Sequence, residues 1–283
     1  MRLLLTDPAR GVMVLDTESG AQMPLDCPFA CPCCPCAGHE LLLCGCRRQR
    51  DVACYDRRTL AEVTRMPALP ALSALLVSPC GRFVYQLGEE TDCVHARLTA
   101  TGELLCACEQ GVFPRDLRLH ASGRYLLLAG GASGEFALLR APSLTVEATL
   151  VVDGAACAAA FWRDGLALLC AVEDGAIRTT LCVAGAFTST PTELLRFDGQ
   201  PGGLCVCEDG VTALIGTLAG VFAVSLATGR VLKRVSACPL CARIERRFGA
   251  TLLSDALDGQ VTLIRGGASR TLLASPDAQA CFL

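Results

Sequence analysis

Twenty cysteines in 283 residues are the side chains of this sequence best equipped for chemistry. Cys33-Cys-Pro-Cys36 and Cys238-Pro-Leu-Cys241 each hold two thiols at the spacing that lets a thiolate pair reach one tetrahedral metal. Two such pairs on neighbouring strands could build a four-thiolate zinc site or hold an iron–sulfur cluster. Adjacent thiols could instead form a redox switch. The plainer role is packing, because free cysteine behaves as a small buried hydrophobe. Cys44/Cys46 and Cys106/Cys108 suit that role: alternation along a strand puts each pair on one face, without metal-like spacing. Packing is therefore the expectation, with no metal held. Were one bound, it would be zinc on Cys33, Cys36, Cys238 and Cys241.

Other chemistry is thinly provided. The histidines are His39, His95 and His120. No glycine-rich phosphate loop, serine elbow or His-Glu-x-x-His motif is present. Net charge is −3, without a basic block, and aromatic residues make up only 5 %, which argues against a nucleic-acid surface. Hydrophobic residues at 52 % and charged residues at 19 % exclude a disordered chain. The apolar run before Asp7 and Arg10 is shorter than a secretory signal core. A reducing, cytoplasmic compartment with free thiols is expected.

What positions these residues is a repeat. A glycine opens an apolar run at Gly38, Gly81, Gly123, Gly165, Gly210 and Gly249, with intervals of 43, 42, 42, 45 and 39 residues. A second marker keeps phase with it: a turn rich in Asp, Ser and Thr that ends at residues 20, 60, 102, 144 and 229. The third unit divides into four apolar segments of strand length, 116–120, 124–128, 135–139 and 145–151. Four strands in about 42 residues is the size of a β-propeller blade. The opening residues 1–5 match a second strand, 11–16 and 21–25 follow as third and fourth, and 276–283 match a first strand. The fold expected is all-β: one domain over 1–283, a seven-bladed propeller whose last blade joins a C-terminal strand to three N-terminal ones. The uncharged stretch 210–229 is long enough to cross a bilayer. In phase with its neighbours it becomes two buried strands, so no membrane span is expected.

The pattern resembles the YVTN-type β-propeller repeat family, relatives of the WD-repeat and lactonase propellers. The resemblance rests on Ala121-Ser-Gly-Arg-Tyr-Leu-Leu-Leu128, Pro114-Arg-Asp-Leu117 and Leu15-Asp-Thr-Glu-Ser-Gly20. It implies that first strands line a central channel and that ligands bind at its mouth. That places the cysteines at 31–36, 205, 207, 238, 241 and 281 on four neighbouring inner strands. It also makes Arg115, Asp116, His120 and Arg243 the candidate ligand residues at the mouth. Lactonase propellers carry Pro-Arg-His where this chain has Pro-Arg-Asp. A lactonase-like hydrolase of sugar lactones would need Arg115 for the developing oxyanion, with Asp116 or His120 as base. The primary expectation is a monomeric, non-enzymatic module that binds a protein or small-molecule ligand, without cofactor.

Overall fold

The computed structural model describes every residue except 8–9, 26, 28–29, 36–40, 47–49, 89, 110–112, 186–189, 256 and 276–277. The described chain is all-β and forms seven four-stranded antiparallel sheets. Blade one is Ala30–Pro35, Leu41–Cys46, Asp51–Asp56 and Glu62–Pro67; blade two is Leu72–Val77, Phe83–Gly88, Cys93–Leu98 and Leu104–Glu109. Blade three comprises Asp116–Leu119, Tyr125–Ala129, Glu135–Arg140 and Thr145–Val151, and blade four Ala155–Trp162, Gly165–Asp174, Ala176–Ala184 and Thr192–Asp198. Blade five has Pro201–Val206, Thr212–Thr217, Gly220–Ser225 and Val231–Ser236; blade six has Cys241–Arg247, Ala250–Asp255, Gln260–Arg265 and Ala268–Ala274. The closing blade pairs the C-terminal strand Gln279–Phe282 with Arg2–Asp7, followed by Gly11–Asp16 and Gln22–Leu25. Among the described residues no helix is long and apolar enough to cross a membrane, and the stretch 210–229 holds the second and third strands of blade five.

Both sequence markers are turns. In blades two, three and five the repeat glycine closes the link from first to second strand: Gly81, Gly123 and Gly210 donate their N–H to Ser78, His120 and Cys207. Their φ of 69–71° lies in the left-handed region, which glycine enters without a Cβ penalty. The phase marker closes the link from third to fourth strand. Its last residue is left-handed too, including Leu60 and Leu144, which carry side chains there. Leu144 is 3 % exposed, and its burial offsets the backbone cost.

In two of these turns an aspartate caps the chain. Oδ1 of Asp56 accepts the N–H groups of Arg58 and Thr59 at 3.0 and 2.7 Å, and Asp16 does the same for Glu18 and Ser19. The Thr59 N–H above all holds the Asp56 carboxyl below its usual range, and the Ser19 N–H does so for Asp16. A depressed folded pKa stabilises above the unfolded value and is lost as pH falls through the folded one. Asp56→Ala should lower Tm at neutral pH and have no effect once the carboxylates are protonated. Melts at the two pH values check this.

The ring has no single core. Each blade packs on the next through its own apolar cluster, and among the described residues seven such clusters are found for seven blades. Period-two alternation shows why. Leu3, Leu5, Met13 and Leu15 of the closing blade face blade six, while Leu4, Val12 and Val14 face blade one. The second strands are therefore apolar on both sides, which gives the near-continuous runs seen in the sequence.

Candidate functional site

Antiparallel order puts the marker turns on one face of the ring. The other face carries the links from second to third strand and the crossovers between blades. On this crossover face a cleft of about 750 Å³ opens between blades three and four. Arg115 stands at its edge, exposed, just ahead of the inner strand of blade three. The 130–134 loop forms one side with Ser133, and the hairpin joining Gly165–Asp174 to Ala176–Ala184 forms the other with Glu173 and Ile177. These are the longest of the described strands, at ten and nine residues, and their tip runs on past the blade's own inner strand, whose pairing ends at Ala155 opposite Ala171. Asp153, in the crossover into blade four, adds a second carboxylate.

Backbone holds this cleft in shape. Ala156 N–H donates to Gly131 O at 2.7 Å, and Val152 N–H to Gly134 O at 3.0 Å. The loop of blade three is thereby tied to the first residues of blade four. Cys157 lines the cleft half-buried, its Sγ 3.4 Å from Ala155 O. Burial pushes its thiol up, and the Ala171 N–H and the Arg115 charge offset part of that. The cleft thus presents one cation, two carboxylates, a hydroxyl and an apolar rim that includes Phe113. Phe113 and Ile177 are 61 % and 40 % exposed, and Val151 and Leu218 on the same face are 60 % and 49 % exposed.

The residues expected at the mouth are distributed differently from one another. Asp116 turns away from the cleft. Its Oδ2 accepts Arg118 Nε at 3.0 Å and Ala159 N–H at 3.1 Å, tying blade three to blade four. The carboxylate charge raises the Arg118 guanidinium against the cost of its burial. Arg118 also lies within electrostatic reach of Cys205 and Glu245, across the channel. His120 is not within the inner strand, which ends at Leu119. It begins the turn on the opposite face, where Nδ1 lies 2.7 Å from Ser122 Oγ and the ring meets Phe161 edge-on at 4.9 Å. Five residues of extended chain separate it from Arg115, about 16 Å. Arg243 is three blades away, its Nη1 3.3 Å from Gln279 Oε1 of the closing blade. The channel and the cleft are therefore distinct environments, and of the four candidates only Arg115 lines the cleft.

The cysteines sort by interface. Cys44 and Cys281 pack between the closing blade and blade one; Cys170 and Cys182 pack between blades three and four. Cys205, Cys207, Cys238 and Cys241 share the interface of blades five and six. Cys33 lies in the inner strand of blade one, and Cys36 falls outside the described residues. Among the described residues no three His, Cys, Asp or Glu side chains converge as a metal-holding set.

Phe113, Ser133, Asp153, Glu173 and Ile177 were not singled out by sequence reasoning. One signal marked the neighbourhood of Glu173 and Ile177, and none marked Phe113, Ser133 or Asp153. The interval from Gly165 to Gly210 is the longest of the series, at 45 residues, and the projecting hairpin falls within it.

The ring of seven four-stranded blades defines the class: a seven-bladed β-propeller. No family model matches the chain, and no curated protein matches it. Solved structures share the ring. A functionally unknown protein from Desulfotomaculum acetoxidans has a TM-score of 0.75 at 9 % identity, over 99 % of this chain and 98 % of that one. Hydrazine synthase of Kuenenia stuttgartiensis gives 0.71 at 13 % identity, over 88 % and 80 %. A chain of a mitotic checkpoint complex gives 0.73 at 14 % identity, over 90 % and 81 %. At these identities the likeness is one of fold.

Proposed function

We propose that the protein is a non-enzymatic binding propeller of cytoplasmic type that receives a peptide segment of a partner protein in the cleft between blades three and four. The observation that carries this reading is the cleft itself, with its exposed guanidinium, two carboxylates and apolar rim. Preformed clefts that combine apolar walls with a few polar groups are the usual ligand sites of rigid scaffolds. An acidic residue of the partner would meet Arg115, a basic one would meet Asp153 and Glu173, and an apolar side chain between them would cover Ile177. The YVTN-type resemblance supports binding on one face of the ring. Against hydrolysis stands the engagement of Asp116 by Arg118 and Ala159, with His120 on the other face. Sugar lactones should show no turnover above background.

The test uses a fluorescent library of short peptides sorted by charge. Peptides with an acidic and a basic residue flanking an apolar one should bind best. Arg115→Glu and Ile177→Asp, both at exposed positions, should weaken them tenfold or more while leaving the melt unchanged. Binding that ignores both substitutions, or lactone turnover that falls in Arg115→Ala, would overturn the reading.

A further inference from the structure

A second cluster of chemistry lies on the crossover face, away from the cleft. It is the link Cys238-Pro-Leu-Cys241 between the outer strand of blade five and the inner strand of blade six. Two hydrogen bonds shape it. Cys238 N–H donates to Ser236 Oγ at 3.1 Å, and Leu240 N–H donates to Thr217 O at 3.0 Å. Leu240 sits at φ 45°, in the left-handed region, so the chain folds back between the two cysteines. Their thiols become neighbours. The contact with Cys238 and then burial push the Cys241 thiol up.

The two sulfurs differ in access. Cys238 is partly exposed, whereas Cys241 is 0 % exposed. Cys238 Sγ also lies 3.5 Å from Oδ2 of Asp255, a carboxylate only 6 % exposed. The other oxygen of Asp255 accepts Leu257 N–H at 2.7 Å and Asp258 N–H at 3.4 Å, which fixes its direction. An accessible thiol, a resolving thiol behind it and an oriented proton acceptor are thus assembled on one turn. Cys170 and Cys182 make a useful contrast. They are also neighbours, but at 0 % and 7 % exposure they lie inside the wall between blades three and four.

We infer that Cys238 and Cys241 are a redox-active dithiol that exchanges with small-molecule disulfides at the crossover face of blade six. Cys238 gives its proton to Asp255 Oδ2, and its thiolate attacks one sulfur of the incoming disulfide. That S–S bond breaks, a mixed disulfide forms on Cys238, and the first thiolate leaves. The Cys241 sulfur, shedding its own proton, then attacks Cys238 Sγ and expels the second thiolate. The protein gains one S–S bond and loses two hydrogens. The small disulfide takes up two electrons and both protons and departs as two thiols. A reducing dithiol runs the exchange backward.

The experiment exposes the full chain to oxidised glutathione and follows intact mass, maleimide labelling and peptide mapping. The expected product is a Cys238–Cys241 disulfide, with both thiols lost to labelling. Quenching at early times should trap glutathione on Cys238. Cys241→Ser should arrest there, and Cys238→Ser should form neither species. Asp255→Asn should slow the first adduct about tenfold and alter its pH profile, in keeping with a lost proton acceptor. Cys80 is an internal reference. It is exposed, with its thiol lowered chiefly by the Ser78 hydroxyl, so it should take one adduct and stop. Three results would overturn the inference. They are no disulfide between these cysteines, early capture in the wild type that does not favour Cys238 over the other half-buried thiols, or a stoichiometric metal that shields both and is released in Cys241→Ser. Early capture in the wild type keeps the test decisive should a serine variant fold poorly.

Discussion

A chain lacking residues 279–283 should lose its cooperative melt and aggregate. The removed strand pairs Leu3 with Phe282, Leu4 with Cys281 and Leu5 with Ala280. Its side chains alternate between two walls. Ala280 and Phe282 complete the interface with blade six, and Cys281 and Leu283 complete that with blade one. Phe282 is 0 % exposed, and its truncation to alanine alone should cost about 3–5 kcal/mol. Domains of this kind have roughly 5–15 kcal/mol in total. Losing the whole strand removes comparable burial from two interfaces and bares the edge of Arg2–Asp7, an apolar strand open to pairing with other chains. Circular dichroism melts and sedimentation provide the measurement. A truncated chain that melts like the full one would show that closure does not hold the ring. Phe282→Ala should fall between the two and keep the melt cooperative.

The second large effect is expected at Gly154. Its φ is 93°, and a Cβ there would stand 2.1 Å from Ala171 O, 2.9 Å from Ala171 C and 3.0 Å from Val172 Cα. All three are backbone atoms at the base of the projecting hairpin, so no rotamer relieves the contact. On the other side, a Cβ on Gly134 would meet Gly154 O at 2.4 Å. Three backbones are therefore stacked with no room for side chains between them. Gly154→Ala must push the hairpin outward as well as strain its own φ. Strain of about 1–3 kcal/mol with overpacking of similar size gives a loss of roughly 2–6 kcal/mol. Gly175 at the hairpin tip supplies the control. Its φ is 68°, but a Cβ there would find nothing within 4 Å, so Gly175→Ala should cost only about 1–2 kcal/mol. Urea midpoints compare the two. Equal losses would mean that the stacking contributes nothing.

The fold was legible because its markers are local. The repeat glycines and the Asp- or Gly-bearing turns solve backbone problems that recur once per blade, so their phase survives when the apolar residues change. The closing strand could be read from 276–283 for the same reason: it completes the count. The cleft was less legible. Arg115 was found through the resemblance, but its surroundings come from loops that follow no period. Asp153 and Glu173 become neighbours of Arg115 only through the docking of residues 130–134 on 152–156. Asp116 shows the limit most clearly. Sequence makes it a plausible base, and only the positions of Arg118 Nε and Ala159 N–H reveal a carboxylate used as a tie between blades. For the thiols, spacing marks Cys238 and Cys241, while the nearness of Asp255 depends on a strand pairing 14 residues farther on.

The seven separate blade interfaces make this molecule an arch rather than a ball. Each blade leans on two neighbours, and the middle is left to charged and polar groups such as Asp116, Arg118 and Glu245. In an arch, a stone can be recut if its two sides still fit. A substitution at Leu3 or Leu5 is felt by blade six, and one at Leu4 by blade one, with little passed farther round. Drift can therefore proceed wall by wall. Rings that share only 9–14 % of their residues with this chain have the same fold, as expected of an architecture set by spacing more than by particular side chains.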